Sequence, residues 1–221
     1  MSLTSIDTAL EQLMPLLPLI TGQESVLLEQ AAGRVLAGDC VSPIDVPPYC
    51  NSAMDGYALK STDLGSENIQ LKITQRIAAG EVGQQLKSGE AARIFTGAPV
   101  PEGADAVVMQ ENCNANGDVL CVLQQHIKPG ENLRQAGGDI QAGAVMMAKG
   151  HRLKPQDIGL LASIGLESVN VTRRLRVSLL TTGDELVQPG TKLEAGQIYN
   201  SNYYTLQALL KGLQVEVLDC G

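Results

Sequence analysis

Tryptophan is absent from this 221-residue chain, phenylalanine occurs once and tyrosine five times. So few large rings cannot build a platform on which successive bases stack. Positive charge is in deficit as well: 16 Lys and Arg stand against 24 Asp and Glu, a net charge of −8. A chain of that sign lacks the basic field that gathers nucleic acid, which excludes general DNA or RNA binding. Histidine is limited to His126 and His151. The cysteines (Cys40, Cys50, Cys113, Cys121 and Cys220) are odd in number, with no pair at the spacing of a zinc ribbon or a thioredoxin motif. Reduced thiols in a cytoplasmic protein are the expectation. Long apolar runs are missing too. The best one, residues 13–20, is interrupted by Pro15 and Pro18, and no basic segment precedes it, so neither a membrane span nor a signal peptide is expected. What is present, 44% hydrophobic and 18% charged residues, suffices to bury a core.

Along the chain, Ile6, Ala9, Leu10, Leu13 and Met14 recur at helical spacing behind Thr4 and Ser5, either of which can cap, and Pro15 closes the stretch. A second helix is expected over 28–36, weakened by Gly33. Pro43, Pro47 and Pro48 then impose extended backbone and mark a boundary. Residues 71–73, 92–95, 106–109 and 119–123 read as strands, with a hairpin at Asn116–Gly117. Helix returns over 155–164 and stops at Gly165. Residues 176–180 read as a strand, a glycine-rich loop follows, a helix capped by Asn200 or Ser201 runs to Leu210, and 215–218 is a second strand. Strand, helix, strand is one βαβ unit of a parallel sheet. The fold class is therefore α+β and multidomain: an elongated helical domain (1–46 and 138–173), a small β domain inserted in it (47–137), and the first βαβ unit of an α/β domain (174–221). The chain reaches Gly221 as that sheet begins, so a longer parent protein is expected.

Four segments combine residue types that can carry chemistry. In Asn51–Ser52–Ala53–Met54–Asp55–Gly56–Tyr57 a carboxylate sits on a proline-stiffened loop, able to meet a cation or orient a substrate. In Thr96–Gly97–Ala98–Pro99–Val100–Pro101 a hydroxyl and a glycine amide at a strand end suit an oxyanion. In Gly130–Glu131–Asn132–Leu133–Arg134 with Gly137–Gly138–Asp139, Arg134 can fork onto a phosphate or onto Asp139. In Thr181–Thr182–Gly183–Asp184–Glu185–Leu186 the residues follow a strand end, where open α/β sheets place ligands, and two adjacent acids suit a hard cation such as Mg²⁺. Asn200–Ser201–Asn202 adds the amide donors of a helix start. Taken singly, each segment also reads as a turn. No Walker loop, nucleophile elbow or dinucleotide fingerprint is present, and no histidine falls in a motif to serve as a general base.

In this order the four segments, completed by Gly196–Gln197–Ile198–Tyr199–Asn200–Ser201–Asn202, resemble the MoeA family of molybdopterin molybdenumtransferases, related to the gephyrin E domain. The resemblance implies insertion of molybdate into adenylylated molybdopterin with release of AMP. By motif it assigns activity to Asp55, Thr96, Asp139 and Glu185. It places Ser52, Gly97, Arg134, Gly183, Asp184, Ser201 and Asn202 at the substrate, and points to Asp184 and Glu185 as metal ligands. It further implies a cytoplasmic homodimer whose cleft joins the inserted domain of one subunit to the α/β domain of the other, supplied by a molybdopterin adenylyltransferase, with no nucleic acid and no membrane involved. Cys50 stands where some relatives have an acid. The substrates are anions meeting an acidic protein, so carboxylates and phosphates would repel each other unless Mg²⁺ bridges them. Turnover is not expected from these 221 residues alone. A non-catalytic scaffold or partner-binding dimer on the same fold is the alternative.

Overall fold

The computed structural model describes residues 4–17, 22–65, 69–124 and 126–220. The chain forms two compact units, one made of Met1–Cys40 with Met147–Gly221 and the other of Val41–Met146. The inserted span expected at 47–137 falls inside the second.

The first unit opens with α1 (Ile6–Leu13), where the Ser5 hydroxyl accepts the Thr8 amide at 3.2 Å and so satisfies one of the free N–H groups of the helix start. Pro15 follows within a 3₁₀ turn, Met14–Leu16. None of the α1 side chains is buried. Strand β1 (Gln23–Leu27) leads into α2 (Leu28–Ala31). The helix expected over 28–36 stops after four residues, because Gly33 turns the backbone to φ +80° and its N–H donates to the Leu153 carbonyl instead of continuing the helix. Residues beyond it are extended, with Val35 bridging Arg152 and Leu36 bridging Val171. The chain leaves this unit through β2 (Cys40–Val41).

The second unit is built on β3 (Asn51–Ser52), β4 (Gly56–Leu59), β5 (Gln70–Ile77), β6 (Glu90–Ile94), β7 (Ala106–Met109), β8 (Cys113–Asn116), β9 (Val119–Val122) and β10 (Leu133–Arg134). Six of them form a sheet in the order β7-β4-β6-β5-β9-β8. Only β5 and β6 run parallel; the other neighbours are antiparallel. Side chains alternate across a strand, and here both faces are covered. Tyr57, Leu59, Ala91, Ala106 and Val108 fill one core, while Ala58, Ala92, Ile94 and Val107 fill the other. That is why β4 is buried at every position. In the hairpin β8–β9, Asn116 pairs with Val119 as the last strand residue, and it is Gly117 at φ +59° that makes the turn with Asp118. The Asn–Gly signal thus lies one residue ahead of the turn it marks. Gly56 has no room for a side chain: a Cβ there would stand 2.0 Å from the Val108 carbonyl oxygen of the neighbouring strand.

The chain returns through β11 (Val145–Met147) to α3 (Pro155–Ser163), which Gly165 ends at φ +80°. Proline occupies the first turn of α3, and the Asp157 carboxylate accepts the Lys154 amide at 2.8 Å and meets His151 Nε2 at 2.7 Å. These contacts, His151 first, hold the Asp157 carboxyl below the usual carboxylate range. Strand β12 (Ser168–Thr172) pairs antiparallel with β1. The helical character expected of the domain over 1–46 and 138–173 is therefore not confirmed. Among the described residues those spans hold helices of eight, four and nine residues, interleaved with strands and loops. Glycines placed after Ala31 and Ser163 cut the helical patterns short, and the apolar residues that follow each, Leu36 after the first and Val169 and Val171 after the second, are buried from extended backbone.

Strand β13 (Arg176–Leu179), helix α4 (Ser201–Gly212) and strand β16 (Glu216–Asp219) make the expected βαβ unit, with β13 and β16 parallel in the register Arg176 to Glu216. The intervening loop contains a second short parallel pair, β14 (Leu186–Val187) and β15 (Ile198–Tyr199). Two residues per strand give too little periodicity for a sequence pattern to show.

Two glycine substitutions test this packing. Gly56→Ala is expected to destabilise the second unit by about 2 kcal/mol, because neither backbone can yield at a 2.0 Å approach. Gly159→Ala, in open space within α3, is expected to stabilise by up to about 1 kcal/mol. Urea unfolding of both variants reads the difference; equal midpoints would contradict the β4–β7 register.

Candidate functional site

In the second unit, the site is assembled where β3 turns into β4 beside the end of β6. Ser52 is fully buried: its amide donates to the Ala98 carbonyl at 3.0 Å, and its carbonyl accepts the Gly97 amide at 2.9 Å. The Ser52 hydroxyl donates to the Met54 carbonyl at 2.6 Å and accepts the Met54 amide at 3.3 Å, which closes the turn. Ser52 therefore shapes the loop with a hydroxyl already engaged. Asp55 follows, exposed, at the mouth of β4.

Thr96 clamps that carboxylate. Its amide donates to Asp55 Oδ1 at 2.8 Å and its hydroxyl to the same oxygen at 2.7 Å. The Thr96 amide bond comes first in holding the Asp55 carboxyl below its ordinary range, the hydroxyl adds to it, and the field of Arg93 acts in the same direction. A carboxylate lowered in this way contributes stability that is present above its unfolded value and lost as pH falls through its folded one. The sequence pattern pointed to Thr96 and Gly97 as donors for a ligand oxyanion. In the structure the Thr96 donors serve Asp55 and the Gly97 amide serves the Ser52 carbonyl, so these residues orient the acid.

Arg93 was not singled out by the sequence, where it reads only as a strand residue. It donates to the Gly56 carbonyl at 2.7 Å and to Gln110 Oε1 at 2.5 Å, and its guanidinium lies 4.4 Å from the Phe95 ring centre. It ties the strand carrying Asp55 to its neighbours. A second unanticipated feature is Asn51, 9% exposed, whose Oδ1 has no hydrogen-bond partner among the described residues. Arg134 pairs across from Asn51 in the β3–β10 ladder, and its side chain is exposed. Asn132, at φ +59°, fastens that strand to the site loop: its Nδ2 donates to the Val107 carbonyl at 2.8 Å and its carbonyl accepts the Ala53 amide at 2.9 Å. Asp139 is exposed, with its amide on the Val46 carbonyl. Arg134 and Asp139 are not an ion pair among the described residues. Burial pushes the Cys50 thiol up, away from the reactive thiolate form.

In the first unit, the loop after β13 meets the start of α4. Asn200 joins the two: its Nδ2 donates to Thr181 Oγ1 at 2.8 Å while its Oδ1 caps the helix at the Tyr203 amide, 3.2 Å away. A cavity of about 260 Å³ opens there, lined by Thr181, Thr182, Ser201 and Asn202 together with apolar Leu186 and Leu206. It lies beyond the carboxyl end of β13, the expected ligand position in such a sheet. Gly183, Asp184 and Glu185 are exposed beside it and do not line it. The Glu185 carboxylate folds back over Gly183, 2.8 Å from where a Cβ of residue 183 would stand. The described residues hold no cluster of three or more His, Cys, Asp or Glu that would cage a metal. Asp184 and Glu185 are two adjacent exposed acids, fewer than such a cluster needs. The predicted residues thus fall into two groups, Ser52, Asp55, Thr96, Gly97, Arg134 and Asp139 in one unit and Gly183, Asp184, Glu185, Ser201 and Asn202 in the other.

Comparison with known proteins bears on what these groups serve. Residues 4–165 match the model of the MoeA N-terminal region, domains I and II. The chain is 42% identical over 218 residues to the molybdopterin molybdenumtransferase of Haemophilus influenzae, covering 98% of this chain and 54% of that protein. It is 40% identical over 192 residues to molybdopterin molybdenumtransferase 2 of Mycobacterium tuberculosis, covering 85% of this chain and 47% of that one. Crystal structures of a molybdopterin biosynthesis MoeA protein from Pyrococcus horikoshii superpose over the whole chain with TM-scores of 0.86 and 0.84 at 35% and 34% identity, covering 57% and 60% of those chains. The chain spans about half the length of the curated relatives it matches. With a family model over most of its residues and relatives of that likeness, this chain belongs to the MoeA family.

Proposed function

We propose that this chain holds two of the substrate-handling segments of a molybdopterin molybdenumtransferase, which inserts molybdate into adenylylated molybdopterin and releases AMP in the biosynthesis of molybdenum cofactor. The observation that carries the reading is the Asp55 carboxylate, fixed by both donors of Thr96 within the span that matches the family model. An ionised acid with one oxygen fully engaged presents the other in a set direction, which suits it to orient water, a metal or a polar substrate group. Asp55, Asp139 and Glu185 are assigned to catalysis on this reading, with Thr96 acting through Asp55. Ser201, Asn202 and the start of α4 supply donors for phosphate oxygens, since a helix N-terminus presents free amides and a favourable dipole. Arg134, exposed beside Asn51, supplies a fork for an anionic group.

Substrate phosphates and molybdate approach an acidic protein, so their charge needs compensation. Asp184 and Glu185 would hold Mg²⁺, which when bound neutralises phosphate charge as the phosphoanhydride breaks. No histidine lies among these residues, so the acids organise metal, water and molybdate rather than relay a proton through imidazole. The relatives are about twice as long, which supports assigning turnover to a longer protein and not to these residues alone. A molybdopterin adenylyltransferase would supply the substrate, in the cytoplasm. Among the described residues no helix is long and apolar enough to cross a membrane.

The uncovered face of α1 supports the homodimer. Ile6 is 79% exposed, Leu10 and Leu13 are exposed with it, and Met14 and Leu17 in the turn that follows extend the patch. Burying each such side chain contributes about 1.5–3 kcal/mol, and a second copy of this chain is the proposed cover.

In the full-length protein, Asp55→Asn and Glu185→Gln are each expected to lower molybdate-dependent AMP release by about a hundredfold, the scale of losing one preorganised electrostatic group. Near-normal rates in both variants would remove those acids from the mechanism. For the dimer, Leu10→Glu with Leu13→Glu is expected to shift the sedimenting species from two copies to one, and an unchanged sedimentation coefficient would place the interface elsewhere.

A further inference from the structure

At the amino end of the parallel pair β13–β16, Arg34, Arg152, Arg173 and Arg174 line an open groove of about 520 Å³. Leu175, Leu213 and Val215 give it an apolar wall, and no carboxylate lines it. Arg34 is 7% exposed; its Nη2 pairs with Glu24 and donates to the Thr172 carbonyl at 2.9 Å, so its charge is compensated. Among the described residues the other three form no ion pair. Arg152 Nε donates to the Gly33 carbonyl at 3.2 Å and Arg173 Nη1 to the Arg174 carbonyl at 2.9 Å, both neutral acceptors. Among the described residues the ion pairs are Arg34–Glu24, His151–Asp157 and Arg176–Glu216. The acids near this cluster, Glu24, Glu29 and Glu216, line an adjoining cavity that shares Arg34, Arg173 and Arg174. In a chain of net charge −8, three guanidinium groups outside those ion pairs, gathered around one groove, run against the overall field. Their mutual repulsion falls when an anion enters.

We propose that this groove binds a phosphate monoester whose organic part lies against the apolar wall. Several guanidinium forks match the divergent oxygens of a dianionic phosphate, where a single carboxylate would need only one. The apolar wall and a volume well above that of a free phosphate leave room for that organic part, within the usual range of small-molecule sites. The groove is separate from the 260 Å³ cavity at the carboxyl end of β13. Residues preceding β13 and β16 line the first, residues following β13 line the second, and the four residues of β13 alone separate them by about 13 Å. The site is independent of the proposed transferase reaction, so either assignment can fail while the other stands.

The test is a titration of the isotopically labelled chain with AMP, adenosine and inorganic phosphate, followed by amide NMR. AMP is expected to shift the amides of Gly33, Leu175 and Gln214. Phosphate alone is expected to shift the same amides more weakly, and adenosine not to shift them. Arg174→Glu and Arg152→Glu, both at exposed positions, are each expected to weaken AMP binding by about tenfold, the size of one lost charge-assisted hydrogen bond. Arg174→Lys is expected to retain most of the affinity. Unchanged amide positions in both charge-reversal variants away from the groove establish that the fold is kept. The proposal is overturned if AMP shifts only amides within 181–202, if adenosine binds as tightly as AMP, if phosphate alone matches AMP, or if neither charge reversal changes the affinity.

Discussion

The contact on which the site in the second unit depends is the pair of hydrogen bonds from Thr96 to one oxygen of Asp55. It joins the start of β4 to the end of β6, two neighbours in the six-stranded sheet. Everything around it serves to bring those two strand ends together. The absence of a side chain at Gly56 lets β4 close on β7, Arg93 crosses from β6 to the Gly56 carbonyl, and Ser52 uses its hydroxyl and both its backbone groups to fix the turn that presents Asp55. A surface carboxylate would ordinarily move among rotamers. Here half of its acceptor capacity is engaged by rigid donors, one of them backbone, so the remaining oxygen has a defined direction.

The first unit solves a parallel problem with one side chain. Asn200 caps α4 and holds Thr181 at the same time, so the helix start and the strand end that frame the 260 Å³ cavity move together. Both ends of the β13–β16 pair are then polar in different ways. The carboxyl end offers hydroxyls and helix amides, and the amino end offers arginines.

Much of this was legible in the sequence, and the exceptions have physical causes. Strands 106–109 and 119–122 answer to short β-branched or apolar runs set between glycine-containing turns, and helix 155–163 to apolar residues at helical spacing stopped by Gly165. The expected helix over 28–36 had the right apolar spacing, but spacing cannot reveal that Gly33 adopts φ +80° and hands its amide to Leu153, more than a hundred residues away. The motif around Asn51 marked Asp55 correctly as the exposed acid of its loop, and Thr96 as a donor at a strand end. Which acceptor Thr96 serves depended on the β4–β6 register, a long-range fact. Arg93 carried no local signal, since its role comes from what lies on either side of β6. The orphaned Oδ1 of Asn51 was likewise invisible, because partnership of a buried amide is a property of packing. The arginines of the groove are scattered from 34 to 174, and only the pairing of β1 with β12 and the bridges of Val35 and Leu36 gather them.

The Thr96 clamp makes Asp55 an acid that stays ionised where an unrestrained one begins to protonate, and that property can be measured directly. A carbon-detected NMR titration of the Asp55 carboxyl in the intact chain is expected to give a midpoint below that of an ordinary aspartate, about 3.9, with Thr96→Val moving it upward. A midpoint at or above the ordinary value, unmoved by Thr96→Val, would contradict the clamp and with it the oriented carboxylate on which the functional assignment rests.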